Sequence, residues 1–291
     1  MSSGCFVVTN IPFAAAVVTR SSAGDSHPTD DSLPLETIND VRTALKHIRS
    51  GYADRLLSCL PMAALSILCF ANHLEAQTPQ RFADPIQRNI EGWTVFISPE
   101  VVAQPHRSTG EECLSALANH LQRVRWIVSP ERLAELQQVG IWVHWDHTLE
   151  NLQYHPSRGW LLANDHDPRL AKHVHVGRAK NLIDRRQWTK HPYAILHELA
   201  HAYHDQKLGF DYPPVRSAYE KMKQSGTYDK VLSHKAKHVK HYALNNHKEY
   251  FAESTEAYFG VNDFFPFVRA ELKEHDPDMH QLMETIWGKI P

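Results

Sequence analysis

The residues with the most chemical content are His197-Glu198-Leu199-Ala200-His201. Two histidines four positions apart on a helix share one face, one turn apart, so both imidazoles can reach a single tetrahedral zinc. Glu198 follows the first of them, where its carboxylate can take a proton from a water that the metal activates. In a chain with 21 histidines a bare His-Glu-x-x-His is weak evidence, and its flanks sharpen it. Leu196, Leu199, Ala200, Ala202 and Tyr203 carry no charge, as a helix packed on both sides requires. Pro192 stands near its start, and Lys207 and Gly209 near its end.

A catalytic zinc needs a third protein ligand and one open position. The metzincin spacing fails, because His204 stands where Gly is needed and Lys207 where His is needed. The aspzincin pattern fails too, because Asp229 follows Gly226-Thr227 one place too early. What remains is Asn246 to Gly260, which reads as a helix stopped by glycine. Glu249 and Glu253 share a face with Phe251, Ala252, Tyr258 and Phe259 around them. Carboxylates in such surroundings are costly to bury without a metal or a hydrogen-bonding partner. Glu249 is the expected ligand and Glu253 the expected group behind a zinc-bound imidazole, with Glu253 as the alternative ligand.

A His-Glu-x-x-His helix followed about 45 residues later by Glu249-Tyr250-Phe251-Ala252-Glu253 resembles the anthrax lethal factor and Pro-Pro endopeptidase family of gluzincins. The flanking residues also resemble a group of bacterial and fungal secreted metallopeptidases. The close match runs from about Pro192 to Asp205 and from Tyr242 to Gly260. This resemblance implies a zincin-like metallopeptidase with one zinc per chain and a peptide or protein substrate. It also implies that Tyr242, seven residues before the ligand glutamate, helps to stabilise the transition state.

Other histidines carry less. His204 and Asp205 lie one turn past the second ligand; Asp205 is expected either to orient a zinc-bound imidazole or to be solvated. His234, His238 and His241 fall in a Lys- and His-rich run read as a solvated helix face, with a cleft rim favouring acidic substrates as the alternative. His173 and His175 alternate on a strand before the active-site helix, and residues 173–176 are the guess for an edge strand that pairs with substrate. Cys5, Cys59, Cys69 and Cys113 match no metal or redox spacing and are read as free thiols.

The elements that must position these residues follow from periodicity. Gly92 to Ser98, Ile141 to Trp145 and Ala171 to Val176 are strand-like, while Cys113 to Val128 has apolar residues at helical spacing. Ser129-Pro130 opens a further helix, and the chain is mainly helical after Pro192. Strands and helices first, helices last, predicts an α+β fold with a sheet lobe and a helical lobe around the active-site helix.

Residues 1–55 are expected to be a poorly ordered segment, apart from a short helix over about 36–48, and an over-extended gene start. The apolar run Leu56 to Ala71, preceded by Arg49 and Arg55 and followed by Leu74-Glu75-Ala76-Gln77, has the layout of a signal peptide. The expected organisation is 1–55, 56–76 and a metallopeptidase domain over 77–291. Export to the cell envelope or medium follows, with no stable membrane span in the mature chain; a buried core helix in a cytoplasmic protein is the alternative. A net charge of −2 sets nucleic acid aside as a partner. A zinc-binding module without activity and a zinc hydrolase of non-peptide substrates are the competing functions.

Overall fold

The computed structural model describes residues 81–290. The short helix, the apolar run, the cut near Gln77 and Cys5, Cys59 and Cys69 therefore lie outside the described residues. The strands are β1 (Ile86–Ile90), β2 (Trp93–Ile97), β3 (Ile141–Val143), β4 (Leu152–Tyr154), β5 (Val174–Val176), β6 (Val231–Leu232) and β7 (His238–Val239). The helices are α1 (Pro99–Val102), α2 (Arg107–Ile127), α3 (Pro130–Leu136), α4 (Arg158–Ala163), α5 (Arg185–Lys190), α6 (Ala194–Tyr203), α7 (Pro213–Ser225), α8 (His247–Phe259), α9 (Arg269–His275) and α10 (Pro277–Trp287).

The fold is α+β. Five strands in the order β1-β2-β3-β5-β4 make the main sheet, parallel through β2, β3 and β5 and antiparallel at both edges. In β2 the alternation expected of a half-covered strand holds, with Trp93, Val95 and Ile97 fully buried. The central strands β3 and β5 are buried along their whole length, as parallel strands covered on both faces are. One face packs against α2, through Cys113, Leu114, Leu117, Leu121 and Val124, and joins the core that includes α6. On the other face Phe96 stacks on Trp142 (ring centroids 4.9 Å apart), beside Leu161 and Leu170.

α6 is apolar nearly all round, with Ile195, Leu196, Leu199, Ala200 and Ala202 buried. Burying each large aliphatic side chain contributes about 1.5–3 kcal/mol, so the helix is held by packing on both sides. It runs on as one π turn, His204–Leu208, and ends at Gly209, whose φ of 81° suits glycine. α8 is buried from Tyr250 to Tyr258. Gly260 ends it for a different reason: its φ is −150°, and a Cβ there would come within 2.3 Å of the Tyr193 ring at the start of α6.

Three sequence expectations are corrected. Residues 173–176 are no edge strand, because β5 lies between β3 and β4; the edge is β4, a three-residue strand. The basic run is no helix either. Val231 and Ser233 point inward while Leu232 is exposed, a period of two that pairs β6 with β7 as a hairpin. His241 is not solvated but buried against the rings of Tyr228 and Phe264, which pushes its pKa down to about 3. Cys113 is a buried free thiol, raised by burial to about 11, as an inert core cysteine should be.

The covered face of β5 holds a row of imidazoles. His175 Nε2 lies 2.9 Å from His144 Nδ1, and His175 Nδ1 lies 3.1 Å from His155 Nε2. Burial first, then repulsion from neighbouring histidines, His147 among them, lowers all three, with His144 and His155 at about 4. At these three imidazoles the folded chain binds fewer protons than the unfolded one, so their contribution to stability is full above about pH 6.5 and is lost as pH falls toward 4. Thermal melts should show the midpoint dropping steadily from pH 6.5 to pH 4. A midpoint flat across that range would contradict the buried neutral row.

Candidate metal centre

α6 and α8 cross so that three side chains meet. His197 Nε2 and His201 Nε2 lie 3.1 Å apart, and each lies 3.2 Å from Glu249 Oε2. Ligands at the corners of a tetrahedron with metal distances of about 2.0–2.1 Å stand about 3.3 Å apart, so the three atoms fit one zinc. Asn246 sets the start of α8, its side chain accepting hydrogen bonds from the backbone N–H of Lys248 (2.9 Å) and of Glu249 (3.1 Å). That cap fixes Glu249 in the first helical turn, facing α6.

Behind His197 stands Glu256. His197 Nδ1 is 2.6 Å from Glu256 Oε1, a contact that a carboxylate makes with a protonated ring nitrogen, leaving the Nε2 lone pair for the metal. His191 Nε2 lies 2.8 Å from the same carboxylate. Burial disfavours ionised Glu256, but the two imidazoles outweigh it and hold its pKa at about 2. Burial likewise opposes charge on His197, and its contacts with Glu249 and Glu256 overcome this and raise its pKa well above the usual value. Glu249 is lowered against burial by His197 and His201. The carboxylates thus favour positive charge where the three ligand atoms converge.

Glu253, expected in that supporting place, sits 3.9 Å from His197 Nδ1 and 3.9 Å from His241 Nδ1, beyond hydrogen-bond reach. Burial, and then the neighbouring Glu256, raise its pKa well above the carboxylate range, and its side chain lines the cleft wall. Asp205 touches neither His197 nor His201. It accepts from the Tyr154 hydroxyl (2.6 Å) and pairs with Lys172, tying β4 to the end of α6. His204, beside it, is fully buried against Phe251 and Phe210, which lowers its pKa to about 3.

Glu198 is half-buried beside the ligand atoms, and its Oε2 accepts a hydrogen bond from the Tyr154 backbone N–H (2.7 Å). Burial raises its pKa. Tyr242 opens a short 3-10 turn, Tyr242–Asn245, and keeps 45% exposure with its ring in the cleft wall. The cleft is about 630 Å3 and is also lined by Asn151, Leu152, Gln153 and Tyr154 along the sheet edge. The structure therefore brings His197, Glu198, His201, Glu249 and Tyr242 to one cleft. Sequence reasoning missed Glu256, His191 and Tyr154. Glu256 stands two turns beyond Glu249, a spacing that could have drawn attention to it.

An α+β fold around a His-Glu-x-x-His helix crossed by a glutamate-bearing helix is a zincin-like architecture. Residues 173–286 match the family model described as anthrax toxin lethal factor, N- and C-terminal domain, so over that stretch the chain resembles the lethal factor family. No curated protein and no solved structure matches the chain. The matched stretch spans β5 to α10 and holds every residue of the metal centre; β4 and Tyr154 lie outside it.

Replacing Glu256 by Gln should weaken zinc binding roughly 10–100-fold, the usual effect of losing the carboxylate behind a metal-bound imidazole. Glu253→Gln should leave it nearly unchanged. Competition with a chromophoric chelator reads both, and equal losses in the two variants would contradict this assignment.

Proposed function

We propose that this chain is a zinc metallopeptidase of the gluzincin type, with one zinc per chain held by His197, His201 and Glu249 and with Glu198 as general base. The observation that carries this reading is the placing of Glu198: it lies beside three convergent ligand atoms and is tied by Tyr154 to the edge of the sheet. The resemblance to the lethal factor family over residues 173–286 supports it. When bound, zinc lowers the pKa of a water and polarises a carbonyl.

The chain's own residues do the rest. β4 has no neighbour on its cleft side in the main sheet, and Asn151 to Tyr154 line the cleft, so an extended peptide can add to that edge by backbone hydrogen bonds. Glu198 takes the proton of the attacking water and passes it to the leaving amine. Its carboxylate is aimed by the Tyr154 N–H, so the strand that aligns the peptide also aligns the base. The Tyr242 hydroxyl donates to the oxyanion that develops on the attacked carbonyl. Glu256 keeps His197 in the tautomer that can bind metal.

The layout of residues 56–76 supports export, with a mature chain from about residue 77 to 291. Among the described residues no helix is long and apolar enough to cross a membrane. N-terminal sequencing of the native protein tests this, and a start at Met1 in soluble cell extract would sink it.

Glu198→Gln should lower hydrolysis of a mixed peptide library by about 10²–10⁴-fold while zinc content stays unchanged. Mass spectrometry of the digests checks this. Identical cleavage profiles for wild type and variant would remove the peptidase reading.

A further inference from the structure

The stretch Lys230 to Lys248 holds five lysines and four histidines and no carboxylate, in a chain with 31 basic and 33 acidic residues. The remainder therefore carries 26 basic against 33 acidic side chains, and the positive charge is concentrated here. Lys230, Lys235, Lys237 and Lys240 are all exposed, and none of them forms an ion pair among the described residues. Solvated lysines on a strand edge also deter edge-to-edge pairing, which is their plainest use.

Their position argues for more. The β6–β7 hairpin is joined by backbone hydrogen bonds to the cleft wall: His234 N–H donates to Asp263 O and Phe265 N–H to Leu232 O, both at 2.8 Å. Asp263 and Phe264 line the cleft, and so does Tyr242, two residues beyond Lys240. Asp263 is buried, with His234 Nδ1 and Lys190 Nζ each 3.8 Å from Oδ2, so it faces these two groups and not the exposed hairpin lysines.

We propose that the Lys230–Lys240 hairpin is a docking site for an acidic stretch of the polypeptide substrate, lying next to the bond to be cut. This rests on the peptidase reading and gives it a substrate class: proteins with Glu- or Asp-rich sequence beside the cleavage point. Such a site acts by attraction at a few ångströms in solvent, so it raises affinity and encounter rate, is screened by salt, and leaves the chemical step alone. An anionic lipid surface would use the same charges. The polypeptide is favoured because the hairpin is continuous with the cleft wall and exposes only Leu232 and Val239 as large aliphatic side chains, at 37% and 36%.

The test is fluorescence anisotropy with a labelled glutamate-rich peptide and its glutamine twin, on the full chain carrying Glu198→Gln so that neither peptide is cut. The glutamate peptide should bind about fivefold or more tightly than its twin at low salt. That preference should vanish in the variant that adds Lys235→Gln, Lys237→Gln and Lys240→Gln, and also at ~0.3 M salt. Equal binding of the two peptides, or a preference that survives loss of the three lysines, overturns the proposal. Capture by phosphatidylserine vesicles with no preference between the peptides overturns it in favour of a membrane surface. A wild-type chain that cuts library peptides yet shows no preference fails the docking site alone. One that prefers the glutamate peptide yet cuts nothing fails the peptidase reading.

Discussion

Three acceptor atoms, His197 Nε2, His201 Nε2 and Glu249 Oε2, are held within 3.2 Å of one another by two helices that are far apart in sequence. Lone pairs brought so close repel unless a cation or a shared proton lies between them, and around this constraint the helical lobe is arranged. α6 is packed on both sides, so the two imidazoles cannot swing away. The Asn246 cap fixes the first turn of α8, and the bare backbone of Gly260 lets the far end of that helix close on Tyr193. Glu256 then supplies buried negative charge behind His197, which makes the point of convergence favourable for a metal ion.

The sheet lobe contributes through one strand. β4 is only three residues long, yet it is tied twice to α6 and the π turn that continues it. Its backbone N–H at Tyr154 holds the Glu198 carboxylate, and the Tyr154 hydroxyl binds Asp205 one turn beyond His201. A shift of the sheet edge against α6 would move both the strand that lines the cleft and the Glu198 carboxylate it holds. The imidazole row under β5 packs the covered face of the same sheet, and so links the edge to the acid sensitivity of the fold.

Much of this was legible in the sequence. Helix periodicity and uncharged flanks located α6 and α8, and the β-branched and aromatic residues between Gly92 and Ser98 located β2. What escaped was short or depended on distant partners. Leu152-Gln153-Tyr154 is too brief to alternate, so the edge strand went to the more visible pattern at 173–176. Each strand of the basic hairpin is two residues long, and its pairing with residues 263–265 cannot be read from local composition. On α8, Glu253 is one turn from Glu249 and was the obvious support for His197. Glu256, seven residues on, lies within about 20° of Glu249 around the helix, while Glu253 is turned about 40° the other way. The closer alignment puts Glu256 against the far nitrogen of the same imidazole.

The proposed chemistry depends on His197, His201 and Glu249 together holding a metal ion. Elemental mass spectrometry of the purified chain, with Glu249→Ala measured alongside, is the test. About one zinc per chain is expected in the wild type and little or none in the variant. No zinc in the wild type under metal-replete purification, or zinc retained in full without Glu249, would contradict it.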